Sequence, residues 1–410
     1  MANPDLVVVT SYPPQGQVHG KGTVGVASYA KNTLLAISRQ KPNIQITILA
    51  EILPNQPLEY RENNIHVVRC WQRNSFLAFF QILKKISQIP TTNTLIEFEM
   101  AMLGSPLLNV FFPLFLLILK VSGKITTVVL HQVVLNFSEI SGHIGQKKDS
   151  PLNPILSFFA AVFYKLVIKI ADRIIVFEQF LKDRLDPDNS KIVIIPHGVE
   201  PKKLYLKPEK SSSFTITTFG FLAWYKGTDW IAKTFSDYLD KHPKSRLRLV
   251  IAGGPNPNHL DKEYYQEYLK KITVSADKHP TSIVQTGFVN ENDIIKYYSE
   301  SDLIILPYRV GMSSSGPLSL AFTYHKPFMV SAPIAPILKT KDIADSFKLF
   351  HLKTNQVTFS LNSKNFFHRL LALKNSPVKL DHLSLLSQKI SQSRAWSQIG
   401  KMYLKTLIID

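Results

Sequence analysis

The pattern that most narrows the fold is an alternation of largely apolar runs with helix-length stretches, and it occurs twice. In the first half the apolar runs are LVVVTS (6–11), ITILAE (46–51), HVVRC (66–70), TLIEFE (94–99), TTVVLH (126–131), RIIVF (173–177) and KIVIIP (191–196). Helix-length stretches such as VASYAKNTLLAISRQ (26–40), SFLAFFQILKKIS (75–87) and NPILSFFAAVFYKLVIKIA (153–171) lie between them. Strands that are apolar throughout, instead of at every second position, are buried on both faces, and the intervening helices supply the cover. The pattern predicts an α/β domain with a parallel, Rossmann-like sheet.

After PHGVEPKKLYLKPEKSSS (196–213), rich in proline, lysine and serine, the rhythm restarts. FTITTFG (214–220), RLRLVIAG (246–253), SIVQTG (282–287), DLIILPY (302–308) and PFMVS (327–331) read as strands, and 229–242, 262–278 and 291–301 as helices. A single core seldom grows beyond ~250–300 residues, and the chain has 410. The expected organisation is therefore an N-terminal Rossmann-like domain over 1–200, a second over 201–390 and an interdomain cleft. A terminal helix within 391–410 carries Trp396, Ile399, Tyr403, Leu404 and Leu407 on one face and is expected to return to the first domain.

Composition adds boundaries. With 45% hydrophobic and 11% aromatic residues the chain is globular and not disordered. The net charge of +18 favours anionic partners. The lone Cys70 excludes an internal disulfide framework and reads as a core residue. MANPDLVVVTSYPP has no basic leader and no long apolar core, so a cytoplasmic protein without a signal peptide is expected. Twenty uncharged residues separate Glu99 from Lys120, but Pro106, Asn109, Pro113 and Gly104-Ser105 interrupt them, which favours a buried or interfacial helix over a membrane span. Apolar residues at 107–119 and 155–168 beside Lys120, Lys124, Lys147 and Lys148 make the inner face of an anionic membrane an expected partner.

In parallel sheets, ligands bind beyond the carboxyl ends of the strands. There GKGTVG (20–25) precedes a helix and an acid, Glu51, ends the second strand, a set that mimics a dinucleotide fingerprint. The glycines sit about ten residues past their strand, so three readings stand: a nicotinamide site, a simple helix cap, or a loop whose amides approach phosphate or sugar. Lys226 follows a strand and Gly220 and precedes a helix, where an ammonium can meet a departing diphosphate; a solvated surface lysine is the plainer reading. His131 ends its strand as either a structural or a ligand-facing histidine. SSSG (313–316) opens a helix at Pro317, as an anion-binding terminus or an ordinary N-cap.

The ordered set VGVASYAKNTL (24–34), IEFEMAMLG (96–104), VVLH (128–131), VIIPHGVE (193–200), FGFLAWYKGTDWI (219–231), LVIAGG (249–254), TGFVNENDIIKYYSESDLIILPY (286–308), SSGPLSLAFTYHKPFMVS (314–331) and AWSQIGKMYL (395–404) resembles glycosyltransferase family 4, the group 1 glycosyltransferases. The resemblance implies the GT-B fold and metal-independent, retaining transfer of a hexose from a nucleotide-diphosphate sugar to a glycan or lipid-linked acceptor, with no cofactor and no nucleic-acid partner. It places Lys226 and His131 at the chemistry. Gly22, Thr23, Gly25, Gly220, Ser314, Ser315, Gly316 and Leu318 fall at the donor and its phosphates, Gly287, Phe288 and Val289 at the base, and Glu99 on the acceptor side.

Two departures stand out. Many members carry an Arg just before the lysine, where this chain has Phe221 and Ala223, and a pair of acids at positions occupied here by Met312 and Leu320. The missing acids motivate a second reading, a non-catalytic carbohydrate- or nucleotide-binding protein on the same fold. GKGTVG with Glu51 motivates a third, a nicotinamide-dependent oxidoreductase.

Overall fold

The computed structural model describes residues 3–17, 25–202 and 213–407. The first half forms an eight-stranded sheet: β1 (Leu6–Val9), β2 (Ile46–Glu51), β3 (Glu59–Glu62), β4 (Ile65–Trp71), β5 (Asn93–Phe98), β6 (Ile125–Leu130), β7 (Arg173–Val176) and β8 (Ile192–Ile194), in the order β3-β4-β2-β1-β5-β6-β7-β8. The second half forms a six-stranded sheet from β9 (Phe214–Phe219), β10 (Leu247–Ala252), β11 (Ile283–Gln285), β12 (Leu303–Leu306), β13 (Phe328–Ser331) and β14 (Thr358–Phe359), in the order β11-β10-β9-β12-β13-β14. Every pairing is parallel except β3 with β4. The sequence pattern did not reveal β3 or β14. Both lie at sheet edges, where a strand needs no continuous apolar run, and EYRE buries only Tyr60.

Crossovers fix which face each helix covers. The step from β1 to β2 runs one way along the sheet and the steps from β4 to β5, β5 to β6 and β6 to β7 run the other. Right-handed connections therefore put the Gly25–Gln40 helix on one face and the Ala78–Ser87, Phe112–Val121 and Leu152–Ile170 helices on the opposite one. The latter three converge on an aromatic cluster: Phe98 of β5 stacks on Phe112 at 4.3 Å, Phe79 meets Phe115 at 5.0 Å and Phe163 reaches Phe98 at 5.5 Å. The uncharged stretch before Lys120 is a 3-10 turn, Pro106–Phe111, followed by the short Phe112–Val121 helix. Cys70 is half-buried on β4, and burial pushes its thiol up to about 11, well into the unreactive range.

On the other face the Trp396–Leu407 helix packs along the 25–40 helix. Tyr29 and Tyr403 share a hydroxyl hydrogen bond of 2.7 Å, and a Cβ on Gly400 would lie 2.7 Å from the Ala36 carbonyl oxygen, so only glycine permits this approach.

One ion cluster joins the two halves. Arg394 ends the Pro377–Ser393 helix and donates to both oxygens of Glu178, just beyond β7, at 2.9 and 3.2 Å. It also donates to both oxygens of Asp342 in the Lys341–Leu349 helix, at 2.6 and 2.9 Å. Thr340 donates its hydroxyl to Glu178 at 2.7 Å. Burial opposes the charge on Arg394, but the two carboxylates outweigh it and hold the guanidinium above its ordinary range. Adjacent backbone closes the joint, with Val199 donating to the Arg394 carbonyl at 2.9 Å and Trp396 to that of Val199 at 3.2 Å.

Replacing Arg394 by Met is expected to lower the stability of the folded chain by about 3–5 kcal/mol, because it strands the buried Glu178 carboxylate and removes the partner of the half-buried Asp342. The deficit should shrink as the pH falls and Glu178, whose pKa burial raises, takes up a proton. Denaturant unfolding of both proteins at neutral and mildly acidic pH measures it, and an unchanged midpoint would remove the cluster from its structural role.

Candidate active site

In each sheet the chain reverses its direction of winding beside the first strand of that half, between β1 and β5 and between β9 and β12. Loops leaving the carboxyl ends of neighbouring strands splay apart at such a point and open a crevice. The residues singled out from sequence lie on or beside these loops.

In the second domain, β9 runs into Gly220, and residues Trp224–Lys226 form a single 3-10 turn before the Thr228–Lys241 helix. Gly227 takes a φ of +69°, and any side chain there would collide with the Pro307 carbonyl oxygen, so the turn rests directly on the exit of β12. Arg309, just past that exit, clamps the turn from the other side. Its guanidinium donates to both oxygens of Asp229 at 2.7 and 2.8 Å and to the Trp224 carbonyl at 2.6 Å, lying over the Trp224 ring at 4.9 Å.

The clamped turn presents Lys226. A Cβ on Gly220, whose φ is +97°, would be 2.7 Å from the Lys226 Nζ and 3.7 Å from the Pro317 ring. Lys226, Gly220 and the start of the Gly316–Thr323 helix therefore meet at one point. Lys226 is half-buried and bonds to no acid among the described residues. Burial alone pulls its pKa down to about 8. An ammonium that has lost part of its water and gained no counter-ion is poised to take an anion.

The Ser-Gly turn divides its labour. Ser315 is the N-cap: its hydroxyl accepts from the Leu318 amide at 3.3 Å and lies 3.1 Å from the Tyr308 hydroxyl. The Ser315 hydroxyl and the Leu318 amide thus satisfy each other. Ser313 donates to the Ser314 carbonyl at 3.0 Å. Gly316 is exposed, and a Cβ there would meet no atom within 4 Å. At the end of β11, Gly287 takes a φ of +69°, Phe288 is exposed with its ring 6.1 Å from that of Phe221, and Val289 is half-buried.

In the first domain, His131 donates from Nε2 to Glu97 at 2.7 Å and packs edge-on against Tyr29 and Phe177, each at 5.0 Å. Glu97 is wholly buried on β5 and its second oxygen has no partner among the described residues. Glu99, two residues further along the same side of the chain, is half-buried. Burial raises its pKa, while the Ala101 amide, His131 and Arg73 pull it back. Gly25 is the exposed first residue of its helix; Gly22 and Thr23 lie outside the described residues. Glu51 is fully buried and accepts from the Ser11 hydroxyl and from the Tyr12 amide at 3.0 Å. Its carboxylate braces the β1 exit loop through these two bonds, and residues 20–24 of the GKGTVG motif lie outside the described residues.

Several contributors were not evident in the sequence. His143 comes from the first domain, with its ring 5.1 Å from that of Tyr225 and 5.5 Å from that of His259. Burial, His259 and Lys226 push its pKa down to about 4, so it is neutral at physiological pH. Gly142 beside it lies so close to the Trp224 ring that a side chain could not fit. Glu97 was missed although its i, i+2 spacing to Glu99 was visible; the Arg309–Asp229 pair left no local signal. The positions of the missing acids are packed, not open: Met312 joins Val134, Ile140 and Val310 in an apolar cluster, and Leu320 packs against the core. Beside that cluster is an interdomain pocket of about 180 Å³ edged by Arg184, Glu139 and Asn136.

Residues 213–338 match the family model described as "Glycosyl transferases group 1". No curated protein matches the chain. Among solved structures, a sucrose-phosphate synthase from Thermosynechococcus elongatus is similar with a TM-score of 0.71 at 11% identity, covering 98% of each chain. A trehalose-phosphate synthase from Burkholderia xenovorans in complex with glucose-6-phosphate has a TM-score of 0.68 at 9% identity over 99% of this chain and 100% of the other. The Anabaena protein HepE in complex with UDP and glucose has a TM-score of 0.60 at 13% identity over 99% of both. The fold is that of the GT-B glycosyltransferases, two Rossmann-like domains facing a cleft.

Proposed function

We propose that the protein is a retaining, metal-independent glycosyltransferase that moves a hexose from a nucleotide-diphosphate sugar to a glycan or lipid-linked acceptor. The observation that carries this reading is the partly dehydrated Lys226 ammonium, which bonds to no acid among the described residues, beside Gly220 and the start of the 316–323 helix. The group 1 match over 213–338 supports it, since that segment contains this whole constellation.

In this mechanism the bond from the anomeric carbon to the diphosphate oxygen breaks with its electron pair going to the phosphate. Lys226 stabilises the charge that develops there. The acceptor hydroxyl oxygen bonds to the same face of the anomeric carbon, and its proton passes to the departing phosphate. Glu97 fixes the His131 ring at the sugar, Glu99 orients the acceptor, and Phe288 with Phe221 supplies an apolar edge for the base.

Incubation with a panel of nucleotide-sugars should release nucleoside diphosphate from one of them, with the anomeric configuration of the product matching that of the donor. Tight binding without release would favour the non-catalytic reading instead. Lys226→Ala should lower turnover by on the order of a hundredfold with little change in folding. Because the ammonium is the active form, kcat/KM should fall as the pH rises through about 8, and this limb should vanish in the variant.

Gly316→Val adds a Cβ that meets no atom within 4 Å outside its own helix. It is expected to weaken nucleoside-diphosphate binding by on the order of tenfold while leaving the melting temperature near the parent's, because only a bare backbone lets a phosphate approach closely. Ser313→Ala should bind like the parent. Calorimetric titration distinguishes this from a pure capping role, in which affinity stays and stability falls.

A further inference from the structure

The three helices that share one face of the first sheet are apolar on both sides. Their inner sides meet over Phe98, but their outer sides carry Phe76, Phe80, Leu114, Phe158 and Phe159, exposed by 77%, 65%, 55%, 66% and 62%. Leu107, Val110, Leu117 and Ile155 continue the surface. A helix that is hydrophobic all round is covered by something, and a contiguous apolar surface of this extent marks an interaction site.

Charge identifies the occupant. Segments 75–87, 106–121 and 152–170 contain five lysines and no Asp or Glu. Lys120 and Lys124 donate to the backbone carbonyls of Ile170 and Thr91 and are structural. Lys84, Lys147, Lys148, Lys165 and Lys169 are exposed around the apolar surface, with Asp149 the acid that follows the pair at 147–148. Aromatic and aliphatic side chains ringed by lysine suit the boundary between anionic headgroups and acyl chains. Two copies docked through this face would set lysine against lysine. The Leu152–Ile170 helix is long and apolar enough to cross a bilayer, yet Tyr164 and Val167 are buried and the Tyr164 hydroxyl donates to the Gln132 carbonyl at 3.1 Å, which holds it flat against the domain.

We infer that the outer face of the 78–87, 106–121 and 152–170 segments docks on an anionic membrane surface, embedding its aromatic residues at the headgroup level. Each segment begins at the carboxyl edge of the sheet, and Phe76, Phe80, Leu107, Ile155 and Phe158 lie at that end. Docking therefore brings the mouth of the cleft to the lipid surface. The inference stands apart from the sugar-transfer reading.

The test is flotation of the full chain with phosphatidylcholine vesicles, with and without phosphatidylglycerol. The parent should float with the anionic vesicles, less so in high salt, and poorly with phosphatidylcholine alone. Phe80→Ser, Leu114→Ser and Phe158→Ser together should reduce partitioning by on the order of a hundredfold while the melting temperature stays near the parent's. Lys147→Ser with Lys148→Ser should narrow the preference for anionic vesicles. Failure of the parent to float, or equal flotation of the triple variant, overturns the inference. A parent dimer in solution that the triple variant converts to monomer, without vesicle binding by either, assigns the face to a second copy and also overturns it.

Discussion

Among the contacts that join the two sheets, the one with most charge at stake is a buried guanidinium. Arg394 is contributed by the end of the chain, Glu178 by the first sheet and Asp342 by the helices around the second, so one residue ties together three parts that are distant in sequence. Stripping water from these groups costs several kcal/mol for each ion, and only close, multiply hydrogen-bonded geometry recovers it. A greasy joint tolerates sliding; an ionic one with four short bonds does not. The cluster thereby fixes how far apart the loops beyond β5 and β9 stand, and with them the groups that face each other across the cleft.

Within that frame the two sides of the site are built on different physics. The second domain presents a cation with no acidic partner among the described residues, held by a glycine turn and by the Arg309 clamp. The first presents a histidine whose orientation is dictated by a buried carboxylate behind it. One side is kept electrostatically unsatisfied and the other is over-determined. This is the division expected where charge must develop at one end of a substrate while the other end is merely held in place.

How much of this was legible in the sequence follows from the range of the interactions. The central strands announced themselves because burial on both faces leaves a continuous apolar run, whereas β3 and β14 did not because an edge strand takes its order from its neighbour. Lys226 could be found because its context of strand, glycine, turn and helix is local, and the capping role of Ser315 could be weighed for the same reason. Glu97 was concealed by its setting in an apolar strand. Arg309 and Asp229 are 80 residues apart, and His143 acts through rings of the other domain, so no window of sequence contains either contact. The Glu51 carboxylate resembled a ribose ligand by position, and its bonds to Ser11 and Tyr12, about forty residues away in sequence, had no local signal.

The packing of the 396–407 helix on the 25–40 helix also sets an order of events during synthesis. The face of the 25–40 helix that receives Tyr403 and Gly400 is made early, but its cover is translated only after the second domain. The nascent first domain can form its sheet and still expose that stripe, along with the unneutralised Glu178, until translation of the second domain is over. A chain stalled or clipped before Arg394 therefore carries an uncovered helix and a stranded buried acid together, two features by which quality control can tell an unfinished molecule from a finished one.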